Sequence, residues 1–125
     1  MILAIDFDGT LHYGEWPKIG APAPDSVEMM QRLKSDGHYL IIWTCREGRF
    51  RADMIEWMSE NGIPFDRING HVPDAVESFG YESRKVYADV YIDDRNLGGL
   101  PPWKEIYDIV SGKVKMYRIY KMQRG

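Results

Sequence analysis

Short continuous apolar runs alternate along this chain with longer stretches in which apolar side chains recur every three or four positions. Residues 2–5 (ILAI) are apolar on both faces and stop at acid and glycine, as a buried parallel strand does where it breaks into a loop. Residues 9–24 are rich in glycine and proline and carry no helical period, which predicts a loop or flap. Asp25 with Glu28 three positions on resembles a capping box, and Val27, Met30 and Leu33 keep helical spacing up to Gly37. HYLIIWT (38–44) predicts a second buried strand. From Glu47 to Asn61 the residues Phe50, Met54, Trp57 and Met58 predict a helix that Gly62 and Pro64 stop. PFDRIN (64–69) is a weaker strand, 73–79 a short helix, and VYADVYIDD (86–94) another buried strand. PPWKEIYDIV opens on proline and sets Trp103, Ile106, Tyr107 and Val110 along one helical face. The last thirteen residues, KVKMYRIYKMQRG, fit an edge strand or a helical tail equally. Strand alternating with helix predicts an α/β, Rossmann-like parallel sheet with helices on both faces, formed by residues 1–125 as a single domain.

Composition narrows the partners more than the fold. The 125 residues are 44% apolar and 28% charged, with a formal net charge of −3, the profile of a globular chain. That balance gives no electrostatic footprint for duplex nucleic acid or an anionic membrane surface. The single cysteine, Cys45, forbids an intramolecular disulfide and fits a reducing compartment. The start MILAIDFDG lacks the basic flank and length of a signal peptide, and no run approaches the roughly 18 apolar residues of a membrane span. A cytoplasmic protein is expected.

The candidate chemistry lies where the apolar runs end, in DFDGT, TCR and DDR. The strand period points Asp6 and Asp8 to one side and Phe7 to the other. If the strand ending in Asp93 and Asp94 is a neighbour, carboxylate oxygens from both strands could hold Mg²⁺, with waters completing an octahedron. Taken singly, Asp8-Gly9-Thr10 reads equally as an aspartate-closed turn, and Asp93-Asp94 as a helix cap. A second pattern, TCREGRFR (44–51), matches the Cys-x-x-Gly-x-x-Arg core of the cysteine-dependent phosphatases, in which a thiolate and an arginine engage the phosphoryl group. Glu47 weighs against it, since it would put a carboxylate inside the phosphate loop, and no Ser or Thr follows Arg51 to assist the thiolate.

AIDFDGT, the threonine ending LIIWT, Lys85 in SRKVYADVYIDD and the pair Asp93-Asp94 come in an order and spacing that resembles the haloacid dehalogenase (HAD) superfamily of Mg²⁺-dependent phosphohydrolases, over residues 2–97. The resemblance implies that Asp6 attacks phosphorus to form an aspartyl phosphate, while Asp8 protonates the leaving alcohol and then takes a proton from water. It implies metal ligation by Asp6, the Asp8 carbonyl and Asp94, with Asp93 direct or through water. The Thr44 hydroxyl, the Cys45 N–H and Lys85 would stabilise the phosphoryl oxygens, with Thr10 a further contact to substrate. Arg46 and Arg95, beside motif residues, either bind substrate or brace the carboxylates through ion pairs; bracing is expected of Arg95, and both roles stay open for Arg46. Arg84 is the alternative to Lys85.

The gaps between these motifs are too short for the cap domain many members carry, so the resemblance implies a capless site, shielded by residues 12–20 or by another subunit of a homo-oligomer. Such a site would admit a phosphorylated small molecule, a phosphoprotein or a nucleic-acid end. A non-catalytic phospho-acceptor resembling a receiver domain is the alternative from the binding class, but in receivers the lysine follows the last acidic strand end, and here Lys85 precedes it. Among the other polar and aromatic residues, His12 is the histidine expected to reach substrate; Trp57 and Trp103 are expected in the core and Trp43 in the sheet packing. Tyr13 and Trp16 either stack on substrate or anchor the flap.

Overall fold

The computed structural model describes residues 1–73, 80 and 83–112. The short helix expected over 73–79 lies, apart from Pro73, outside the described residues, as does the tail from 113 to 125. Among the described residues four parallel strands form one sheet, β1 (Ile2–Ile5), β2 (Tyr39–Ile42), β3 (Arg67–Ile68) and β4 (Val90–Ile92), in the order β3-β2-β1-β4. Among the described residues three helices accompany them: α1 (Ser26–Ser35) between β1 and β2, α2 (Gly48–Glu60) between β2 and β3, and α3 (Trp103–Val110) after β4. The chain winds outward from β1 through β2 to β3, then returns to the far side of β1 as β4. That reversal makes a switch point beside β1, where the loops leaving neighbouring strands part and open a crevice.

The apolar runs sit on both faces of the sheet, as parallel strands require. Leu3, Ile5, Leu40, Ile42 and Ile92 point into one core with Met30 and Leu33 of α1, Met54 and Met58 of α2, and Trp103 and Ile106 of α3. Ala4 and Ile41 point the other way, into a smaller cluster with Val86 and Ala88 that Trp43 and Tyr91 flank. Trp43 therefore packs on the sheet as expected. Of the connection between β3 and β4, Val72, Val86 and Ala88 pack on this second face. Among the described residues no helix is long and apolar enough to cross a membrane.

Two strands and one helix start differ from the sequence pattern. The run 86–94 contributes only Val90–Ile92 to the sheet because Asp89 intervenes: its carboxylate accepts the Ile2 N–H at 2.7 Å and its own N–H donates to the Ile2 carbonyl at 2.8 Å. This fixes Leu3 opposite Val90 and Ile5 opposite Ile92. Asp66 likewise takes the Leu40 N–H at 2.8 Å, and the weak strand shrinks to two residues. At α1 the capping box does not form. Asp25 stands in the left-handed region with φ 65° and no side-chain cap, and Glu28 instead pairs with Arg32 at 2.9 Å one turn along the helix.

Trp103 ties the last helix to the first motif. It is 1% exposed, and its indole N–H donates to the Thr10 carbonyl at 2.9 Å. Trp103→Ala should destabilise the protein by about 3–5 kcal/mol in urea unfolding, and Trp103→Phe, which orphans the Thr10 carbonyl, by about 1–3 kcal/mol. Equal midpoints for Trp103→Phe and wild type would show that the bond contributes nothing net.

Candidate functional site

Three carboxylates meet at the switch point. β1 ends at Ile5 and β4 at Ile92, and the Asp6 N–H continues the ladder by donating to the Ile92 carbonyl at 2.9 Å. That register brings oxygens of Asp6, Asp93 and Asp94 within 4.8 Å of one another. A set of oxygen ligands from two strand ends fits a hard cation such as Mg²⁺ in charge, donor type and spacing.

Thr10 holds this cluster together and is not open to a substrate. It is wholly buried, its hydroxyl donates to Asp6 Oδ2 at 3.1 Å, and the same oxygen accepts the Asp94 N–H at 3.1 Å. The substrate contact expected of Thr10 is thus corrected to a brace across β1 and β4. Gly9 permits the approach: at φ 81° it is in the left-handed region, and a Cβ there would collide with the Asp94 carboxylate. Asp93 is oriented by the Arg95 N–H at 2.8 Å, so Arg95 braces through its backbone rather than its guanidinium.

Asp6 and Asp8, two residues apart, sit in opposite electrostatic settings. Burial first, then the hydrogen bond with Asp94 and the charge of Asp93, push the Asp6 carboxyl up from its ordinary 3.8 to about 8, against the opposing hydrogen bond from Thr10. Burial would also raise Asp8, but hydrogen bonds from Arg46 and His12, with the guanidinium charge, hold it below the ordinary value. Arg46 grips Asp8 with both arms of its fork, Nε to Oδ2 at 2.8 Å and Nη2 to Oδ1 at 2.7 Å. The residue is 1% exposed and its fork is spent on Asp8, so of the two roles open to Arg46 the brace on a carboxylate is the one the structure shows.

His12 is also fully buried and does not reach outward as expected. Its Nδ1 accepts the N–H groups of Gly14 at 3.0 Å and Gly20 at 3.2 Å, which leaves the ring proton on Nε2, donated to Asp8 Oδ1 at 2.8 Å. Gly14 is needed where it stands, since a Cβ there would lie 2.5 Å from the Gly20 nitrogen. Trp57 adds a further tie, its indole donating to the Gly20 carbonyl at 3.1 Å. Trp16 anchors the flap by covering Arg46, with 4.7 Å between guanidinium and ring centre, while Tyr13 is 62% exposed.

At the end of β2, Thr44 is held by a residue the sequence reading passed over. Asn69 accepts the Thr44 N–H at 2.8 Å and donates to the Thr44 carbonyl at 2.7 Å. The one available signal was an asparagine closing a strand before glycine, a place suited to its left-handed φ of 53°. Cys45 is an exposed free thiol. Lys85 is exposed, its ammonium 4.9 Å above the Tyr91 ring, and among the described residues it forms no ion pair with the acidic cluster. The structure therefore groups Asp6, Asp93 and Asp94 and joins Asp8 to Arg46, but leaves Lys85 apart.

A solved structure of a conserved protein from Bacteroides thetaiotaomicron is 41% identical to this chain, with a TM-score of 0.83 over 96% of this chain and 97% of its own. This chain belongs to that protein's family. A crystal structure from Vibrio cholerae is 20% identical over 96% of this chain and 94% of its own, with a TM-score of 0.47. No family model and no curated protein matches the chain. The Bacteroides relative shares the α/β fold over nearly its whole length.

The opposed carboxylates give opposed pH dependences. The folded chain holds the Asp6 proton to about pH 8, whereas the unfolded chain releases it near 3.8, so this contribution is fully present below 3.8 and lost as pH rises through 8. The contribution of Asp8 runs the other way, lost as pH falls through its lowered value. Metal-free protein should therefore lose more stability between pH 6 and pH 9 than an Asp6→Asn variant in denaturant titrations. Parallel pH profiles for the two would contradict the raised Asp6 value.

Proposed function

We propose that this protein is a Mg²⁺-dependent phosphomonoester hydrolase that works through an aspartyl phosphate on Asp6, as its resemblance to the HAD phosphohydrolases implies. The observation that supports this best is the convergence of Asp6, Asp93 and Asp94 at the ends of two adjacent strands, with Thr44 at the end of the next. Asp6, Asp94 and the Asp8 carbonyl would hold the metal, with Asp93 direct or through water. Bound there, Mg²⁺ supplies the positive charge that lets an anionic carboxylate approach an anionic phosphate.

The Asp6 carboxylate would attack phosphorus to form the aspartyl phosphate, and the alcohol would depart from the opposite side. Asp8 serves as the acid–base group for the departing and attacking oxygens. The Thr44 hydroxyl and the Cys45 N–H stand at the end of β2 as donors for equatorial oxygens. Lys85 fits the same role only if its side chain leaves the Tyr91 ring, and Arg84 remains its neighbour and rival. The substrate is a phosphomonoester on a small molecule, a phosphoprotein or a nucleic-acid end, reached through a capless mouth.

With p-nitrophenyl phosphate and Mg²⁺, Asp6→Asn or excess chelator should reduce release of p-nitrophenolate to background, while Cys45→Ser should keep wild-type turnover. Activity that survives chelator and disappears in Cys45→Ser would replace this reading with the cysteine mechanism. Because a proton and a cation compete for Asp6, Mg²⁺ should raise the melting temperature more at pH 8.5 than at pH 6. Equal shifts would remove Asp6 from the metal site.

A further inference from the structure

An arginine that bound substrate would keep part of its fork free at the mouth of the site. Arg46 does the reverse. Besides its two bonds to Asp8, Nη2 donates to the Pro17 carbonyl at 3.1 Å and Nη1 to the Phe50 carbonyl at 3.3 Å. The guanidinium lies between two rings, 4.7 Å from the centre of Trp16 and 5.2 Å from that of Phe7. His12, the other donor to Asp8, is fixed in turn by the Gly14 and Gly20 N–H groups. Both donors are therefore held by partners other than the carboxylate as well.

Their bonds are unevenly shared. Among the described residues Asp8 Oδ1 accepts from Arg46 Nη2 and from His12 Nε2, whereas Oδ2 accepts from Arg46 Nε alone. A carboxylate oxygen has two lone pairs, so the second lone pair of Oδ2 is left for a transferable proton. Rotating the carboxylate would break three bonds at once.

We propose that Arg46 and His12 are positioning residues that hold Asp8 with Oδ2 ready to accept a proton in the second half of the reaction; this rests on the phosphohydrolase reading above. In that half, a water oxygen bonds to phosphorus and the bond from phosphorus to Asp6 breaks. The electron pair returns to the Asp6 carboxylate, the water proton goes to Asp8 Oδ2, and phosphate leaves. In the next cycle that proton passes to the departing alkoxide, or to solvent when the leaving group is a phenolate. Neither Arg46 nor His12 touches the substrate.

The test uses p-nitrophenyl phosphate, whose phenolate departs without a proton, so that only the second half needs Asp8. In Arg46→Lys, which keeps charge but not the fork, rapid mixing should give a burst of p-nitrophenolate equal to the enzyme present. The steady rate that follows should be about 10²-fold slower than wild type, with kcat/KM unchanged because it reports the first half. Acid quenching should trap phosphorylated protein in the variant and little in wild type. His12→Gln, which can still donate to Asp8, should show the same pattern more weakly, and it carries the test if Arg46→Lys does not fold. A rise in KM at unchanged kcat would make Arg46 a substrate ligand and overturn the proposal. Burst and steady rate falling together, with no phosphorylated protein, would reduce both residues to structural supports and overturn it too. If wild type releases no phosphate, or Asp6→Asn retains activity, the phosphohydrolase reading itself fails and takes the proposal with it.

Discussion

Like charges held together against their repulsion are the constraint around which this molecule is arranged. Carboxylates of Asp6, Asp93 and Asp94 within 4.8 Å of one another would spread apart if the chain let them. The ladder between β1 and β4 does not let them, because the pairing of Ile5 with Ile92 sets where both strands end. Asp89 fixes that register from the other end of β4, the Thr10 hydroxyl bridges the two acidic loops, and Gly9 lets Asp94 come close. A proton on Asp6, or a divalent cation among the three, is what balances the remaining repulsion.

Asp8 escapes the cluster although it is only two residues from Asp6. The strand period would have carried both side chains to one side, but the chain turns at Gly9 and the two acquire different neighbours. Asp6 faces other carboxylates, and Asp8 faces a guanidinium and an imidazole. Such a division, one carboxyl pushed up and its neighbour held down, is how a single site can give two acids two tasks. Here the division is made by Arg46, which lies 38 positions from Asp8 in the chain.

How far these features were legible in the sequence follows from the range of the interactions involved. Strands 2–5 and 38–44 could be read because continuous apolar runs require burial on both faces, and helix 47–61 could be read because Met54 and Met58 repeat with the helix. The acidic strand ends were legible for the same reason, since a parallel sheet gathers them at one edge. Asp89 inside an apolar run, and Asp25 ahead of α1, were misread because their side chain or backbone answers to distant partners rather than to local spacing. His12 and Thr10 were taken for residues facing substrate, and Arg46 was left between substrate and brace, because polar groups beside a site look available in sequence. Their burial depends on contacts across the fold that no local pattern encodes. Asn69 was passed over on the same ground: its partner Thr44 is 25 residues away.

The same burial changes what the flap is. Leu11 and His12 are fully inside, the Ala23 N–H closes on the Leu11 carbonyl at 2.7 Å, and Trp57 and Arg46 tie down Gly20 and Pro17. A segment so fastened cannot swing shut over a substrate without breaking bonds to Asp8's own supports, so its residues form a fixed wall rather than a lid. If Asp6 turns over a phosphate ester as proposed, whatever excludes water from it must then come from outside this wall. On the phosphohydrolase proposal, a substrate wide enough to cover the mouth, or a neighbouring subunit seated on it, would supply that exclusion.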